Sequence, residues 1–321
     1  MCCLYQENIL VTGVFRRSEL GRRDRCVVVA RLPTGGLHER LVSHFFEFLP
    51  MPSIETINPN HPRGGFRAAI FDFDGTLSLL RRNWQDVMIP MMVDILASTG
   101  SGESRDELTA YVEEYVMRLN GRQTIYQMMR LAEEVGKRGG EPLQPLEYKE
   151  QYHQQLWHQV GRRVQAVRAG QTPREDMMVP GSERLLQSLV SRGLDLYLAS
   201  GTDLRYVRDE LQVLRLDQYF GSHVYGALDD YKRFSKAMVI DRIVRDAGVP
   251  GEQIVAFGDG FVEIEEVKRV GGLAVGVASD EVNRVGINDW KRNRLISAGA
   301  DLIIGDYRHL DELLRQISLG G

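Results

Sequence analysis

An uninterrupted apolar run, Ala68-Ala69-Ile70-Phe71, passes without a spacer into Asp72-Phe73-Asp74-Gly75-Thr76-Leu77-Ser78. A strand covered on both faces reads as continuous apolar sequence, and a glycine lets the chain turn sharply where the strand stops. Asp72 and Asp74 stand at i and i+2, yet Phe71 and Phe73 share the segment, so this is not a solvated strand face. A plain turn with two solubilising carboxylates is the bland reading of an isolated DxDG. The sharper reading is a carboxylate pair at the C-terminal edge of a buried strand, and downstream segments decide between the two.

Three such segments follow. Leu194 to Ala199 reads as a strand that ends in Ser200-Gly201-Thr202 and runs into a helical stretch from Leu204 to Leu216. A small hydroxyl residue between a strand and a helix start suits an anion, because unpaired backbone N–H groups point outward there. Next, Lys236 opens a helix whose Ile240, Ile243, Val244 and Ala247 form a buried stripe. A lysine at the positive end of a helix dipole is electrostatically misplaced unless an anion or carboxylates surround it. Lys232 and Arg233 are the competing cations. Finally, Ile254-Val255-Ala256-Phe257-Gly258 ends in Asp259, with Glu263 four residues on. Strands at Leu273–Val277 and Leu302–Ile304, with helices between, complete a βαβ pattern. The expected fold is α/β, a doubly wound and mostly parallel sheet.

In this order the four segments resemble the motifs of the haloacid dehalogenase-like hydrolase superfamily. The resemblance is to the phosphatase type with a helical cap inserted after the first motif, as in phosphoglycolate and phosphoserine phosphatase-like members. It covers residues 66–307. It implies an Asp72 nucleophile that forms an aspartyl-phosphate, with Asp74 protonating the leaving group and then activating water. It implies phosphate contacts from Thr76, Ser200, Gly201 and Lys236. It also implies Mg²⁺ held by Asp72, by Asp74 through its backbone carbonyl, and by Asp259. A hard, oxygen-ligated cation relieves the mutual repulsion of three such aspartates. The family pattern is usually GDxxxD and this chain carries GDxxxE, which gives Glu263 a supporting role.

The stretch 79–176 supports the cap reading. Strand-like runs vanish, and Ser104 with Glu107 fits a capping box ahead of the stripe Leu108, Tyr111, Val112, Tyr115, Val116 and Leu119. Helices are expected around 125–135 and 147–167, the latter with Tyr148, Tyr152, Leu156, Val160 and Val164 on one side. Such a lid excludes water from phosphoryl transfer. The expected division is therefore an α/β core of 66–78 with 177–321, a helical cap of 79–176, and an N-terminal extension of 1–65. In that extension Cys26–Ala30 suggests a short strand and 41–49 shows helical spacing. The proline-broken 50–65 reads as a linker, and no chemistry is assigned to the extension.

Composition narrows the partners. A net charge of −4 over 321 residues gives no reason to expect nucleic acid or an anionic membrane. Cys2, Cys3 and Cys26 lie outside every motif, which argues against a disulfide framework or a cysteine metal cluster. The start lacks a secretory pattern, so a cytoplasmic enzyme is expected. The expected substrate is a small phosphorylated metabolite, and the oligomeric state stays open. Asp74 argues against dehalogenase chemistry. Phosphonate cleavage needs a cap amine, and the two cap lysines, Lys137 and Lys149, read as exposed. A phosphomutase of the same superfamily and a catalytically silent interaction protein remain as alternatives.

Overall fold

The computed structural model describes residues 10–14, 26–31, 42–46 and 54–319. Met1–Pro52 and Ser53–Gly321 form two compact units. In the first, β1 (Leu10–Val14), β2 (Cys26–Arg31) and β3 (Val42–Phe46) make an antiparallel sheet in that order. The strand expected at Cys26 is present. The helix suggested by the spacing of 41–49 is not: Val42–Phe46 pairs with β2, His44 opposite Val28. So short an apolar run fits either period, and its valine and phenylalanines suit a pleated surface.

The second unit is built on a sheet of seven strands in the order β4-β10-β9-β8-β5-β6-β7. These are β4 (Ile54–Thr56), β5 (Ala68–Phe71), β6 (Asp195–Asp203), β7 (Val224–Ala227), β8 (Ile254–Gly258), β9 (Leu273–Val277) and β10 (Leu302–Ile304). Every pairing is parallel except that of β4 with β10. β4 corrects the linker reading of 50–65: Ile54–Thr56 pairs with Leu302–Ile304 and closes one edge of the sheet. Three residues amid prolines carry too little pattern to announce a strand.

Between β5 and β6 the chain makes α1 (Gln85–Ala97), α2 (Arg105–Leu119), α3 (Thr124–Lys137) and α4 (Pro145–Arg168), and then α5 (Ser182–Ser191). The capping box at Ser104 and Glu107 is formed. Leu108, Val112, Tyr115 and Val116 are buried, as are Tyr148, Tyr152, Leu156, Val160 and Val164. The remaining helices are α6 (Leu204–Leu214), α7 (Asp217–Phe220), α8 (Lys236–Asp246), α9 (Phe261–Arg269), α10 (Asp289–Ser297) and α11 (Leu310–Gln316). On α5, Leu185, Leu186 and Leu189 are buried while Val190, at the edge of that stripe, is exposed. Among the described residues no helix is long and apolar enough to cross a membrane.

Candidate active site

β5 lies between β6 and β8, the point where the chain reverses its direction of travel across the sheet. Open α/β sheets bind ligands at the carboxyl ends of strands at such a point. The parallel register sets Phe71 beside both Leu198 and Phe257, and the Phe71 and Phe257 rings stack at 4.8 Å. Asp72, Ser200 and Asp259 therefore leave the sheet at one level. Burial of the apolar strands brings the three carboxylate and hydroxyl segments together.

Asp72 is 7% exposed. Lys236 Nζ donates to Asp72 Oδ1 at 2.8 Å and to Glu263 Oε2 at 2.7 Å. Burial drives the Asp72 carboxyl well above the usual carboxylate range, against the pull of Lys236, while Glu263 and Asp259 push the same way as burial. Burial also works against the Lys236 charge, but Asp72 and Glu263 outweigh it and hold that ammonium above an ordinary lysine. Lys236 is the first residue of α8, capped by Ser235 Oγ on the Met238 N–H. Its competitor Lys232 lies over the Tyr231 ring and is exposed.

Asp74 faces the other wall. Its Oδ2 accepts from Thr202 Oγ1 at 2.8 Å and lies 3.5 Å from Ser200 Oγ, while its buried Oδ1 has no hydrogen-bond partner. Arg81 Nε stands 3.9 Å from that Oδ1, but the guanidinium is engaged by Glu210 through Nε and Nη2. Burial raises Asp74, with Arg81 and the Thr202 hydroxyl opposing it. Burial likewise pushes Glu210 up to about 7 despite Arg81. The helix begins at Leu204 as expected, but the strand runs further than the expected Leu194 to Ala199. β6 continues through Asp203 past an irregularity and α6 begins at Leu204, so Ser200 Oγ instead accepts the Thr202 N–H at 3.0 Å.

Gly75 has φ +74°, and a Cβ there would come 2.3 Å from Asp259 Oδ2, so only glycine lets the first turn approach that carboxylate. Thr76 is placed differently from the phosphate contact expected of it. It is fully buried, and its Oγ1 accepts the Asp259 N–H at 3.0 Å, so it anchors the Asp259 loop. Asp72, Asp259 and Glu263 each bring one oxygen to a common site, all within 4.8 Å of one another. An all-oxygen, carboxylate-rich donor set fits a hard divalent cation. Glu263 is otherwise occupied: Oε2 by Lys236, and Oε1 by the Gly260 N–H at 2.8 Å. Asp259 Oδ2 is met by Lys291 Nζ at 2.8 Å.

A cavity of about 80 Å³ opens on these groups, lined by Asp72, Asp74, Ser200, Gly201, Lys236 and Asp259 from the sheet side. The helical insertion covers it with Trp84, Met88, Asn120, Arg122, Gln127 and Tyr152. Gly201 is required by close approach, since a Cβ there would lie 2.7 Å from the Arg122 carbonyl oxygen. Thr202, from the Ser200-Gly201-Thr202 segment, also lines the cavity, as do Arg81 and Glu281, which no sequence motif marked. Of the insertion's aromatic residues, Tyr111, Tyr115, Tyr126, Tyr148 and Trp157 stay outside the cavity lining. Lys149 corrects the reading of both insertion lysines as exposed: it is 4% exposed and paired with Asp203, outside the cavity lining.

Known structures share this fold. A haloacid dehalogenase-like protein of unknown function from Agrobacterium tumefaciens is 19% identical, with a TM-score of 0.51, over 79% of this chain and 100% of that one. A β-phosphoglucomutase from Clostridium difficile is 15% identical, with a TM-score of 0.52, over 79% and 98%. A predicted phosphoglycolate phosphatase from Haemophilus somnus is 16% identical, with a TM-score of 0.50, over 77% and 97%. Among curated proteins no relative matches the sequence. The family model for haloacid dehalogenase-like hydrolases matches residues 66–271, the span holding all four motif segments, and the chain therefore belongs to that family.

Proposed function

We propose that the protein is a divalent-metal-dependent phosphatase that hydrolyses a small phosphorylated metabolite through an aspartyl-phosphate on Asp72. The observation that carries this reading is the pairing of two differently held carboxyls. Asp72 is fixed by a buried ammonium, whereas two residues on Asp74 is held only by the Thr202 hydroxyl, with its buried Oδ1 unpartnered and its pKa raised by burial. Environments that differ in this way separate a nucleophile from an acid.

Lys236 holds Asp72 by Oδ1, which leaves Oδ2 outside that pair to attack phosphorus. As the new bond forms, the bond to the leaving oxygen breaks and Asp74 delivers its proton there. The resulting Asp74 carboxylate then takes a proton from water. The water oxygen attacks phosphorus, the bond to Asp72 breaks, and phosphate is released with Asp74 protonated again. Ser200, Gly201 and Lys236 hold the non-bridging oxygens, and Thr76 acts one step back by anchoring Asp259. A bound divalent cation, Mg²⁺ by the chemistry of the oxygens, would supply charge neutralisation on the phosphoryl group. Asp72, Asp259 and the Asp74 backbone would hold it, with Glu263 in support.

Residues 79–176 act in this reading as a cap on a core of 66–78 and 177–321. The small cavity implies that the cap opens to admit substrate and that the leaving group meets Arg122, Trp84 and Tyr152. Hydrolysis of an aryl phosphate with Mg²⁺ should stop when a chelator is added. Asp72→Asn should lower kcat by more than about a thousandfold while the fold is retained. Intact-mass analysis of trapped wild-type protein should place a phosphoryl group on Asp72, and an adduct on a serine or histidine would refute the mechanism.

A further inference from the structure

Lys291 belongs to none of the four motif segments, yet it is 6% exposed and reaches the metal crevice. It sits in the first turn of α10, where the helix dipole disfavours a cation. Its ammonium contacts Asp259 Oδ2 at 2.8 Å, Glu281 Oε1 at 2.6 Å and Ser279 Oγ at 3.2 Å. Ser279 Oγ in turn donates to the Gly75 carbonyl at 2.6 Å, which ties Lys291 to the turn that follows Asp74. Lys236 serves Asp72 and Glu263 on the opposite side. The crevice thus holds two carboxylate pairs with one ammonium between the members of each. Only one of those ammoniums is accounted for by phosphate binding.

We infer that Lys291 is the resident counter-cation of the metal crevice, a positioning residue that holds Asp259 by Oδ2 and offsets Asp259 and Glu281 against a divalent cation. Two consequences follow from Coulomb's law at these distances. The crevice can fold without metal, because neither carboxylate is left buried and unpaired. The same positive charge restrains metal affinity, since it stands a few ångströms from any cation bound to Asp259. This rests on the reading of Asp72 and Asp259 as cation ligands, and it adds to that reading what limits the cation's affinity.

Binding of Mn²⁺ by electron paramagnetic resonance and of Mg²⁺ by calorimetry tests it without turnover. Lys291→Met should bind either ion roughly tenfold more tightly than wild type. Its Tm in chelator should fall, and added Mg²⁺ should raise its Tm by more than in wild type. Glu281→Gln, which leaves Lys291 to Asp259 alone, should bind the ions more weakly. The double variant should return toward wild type. Should Lys291→Met not fold, Glu281→Gln and Lys291→Gln carry the comparison. Unchanged or weaker binding by the Lys291 variants, when wild type binds the ion, would overturn this role and leave the phosphatase reading standing. A wild-type protein that binds neither ion would overturn both the metal assignment and the role of Lys291.

Discussion

In the proposed reaction Asp74 is the residue whose environment matters most, and Glu210 meets it at one remove through Arg81. Arg81 is bonded to Glu210 and lies 3.9 Å from Asp74 Oδ1. Glu210→Gln keeps the shape but removes the charge, so Arg81 should turn toward Asp74 and lower its pKa. Asp74 must be protonated to serve the leaving group, so the alkaline limb of kcat/KM should move to lower pH. Each unit of that shift costs about tenfold in the protonated fraction above it. A stability signature accompanies this. Glu210 is raised from 4.5 to about 7, so between those values the native state binds more protons than the unfolded state, and stability falls as pH rises. The variant's Tm should be flatter over that window. A pH–rate profile superimposable on wild type would sink the proposed link. None of this was legible in advance. Asp72, Asp74 and Asp259 announce themselves by abrupt charge after apolar runs, and Lys236 by its place at a helix start, whereas Arg81 and Glu210 lie 129 residues apart and meet only after folding.

At the scale of elements, the helical insertion is held by its ties to the core. The segment linking α2 to α3 enters the cavity as Asn120 and Arg122, and it is tied to the core on two sides. Arg294 of α10 donates to the carbonyls of Met117, Arg118 and Asn120, and Gln123 Nε2 donates to those of Tyr231 at 3.1 Å and Phe234 at 2.7 Å. Charge-assisted bonds to three carbonyls at a helix C-terminus hold that end firmly. We predict that Arg294→Gln raises KM about tenfold, about 1.4 kcal/mol, with a smaller change in kcat. Steady-state kinetics showing an unchanged KM would count against the tie. The helices themselves were readable, because Ser104 with Glu107 and the stripe from Leu108 to Val116 follow local rules. β4 and the length of β6 were not, since both depend on a partner strand far along the chain.

At the scale of the molecule, the helical insertion and the small cavity it covers bear on the proposed substrate's size. Across a panel of about a hundred phosphorylated metabolites, compact substrates should give the highest kcat/KM, with free phosphate as product. Preference for a phosphoprotein would contradict a closing lid, and a hexose phosphate isomerised without phosphate release would make the protein a mutase. The order of the four motif segments was enough to identify the α/β class, the helical insertion and the principal carboxylates, because strand burial and helix periodicity are local and repeat along the chain. Tertiary structure alone assigned Thr76 to the Asp259 loop, Lys149 to Asp203, and Lys291 to Asp259 and Glu281. Those assignments depend on which buried charges meet across distant segments, and desolvation makes such meetings selective without leaving any periodic trace in the sequence.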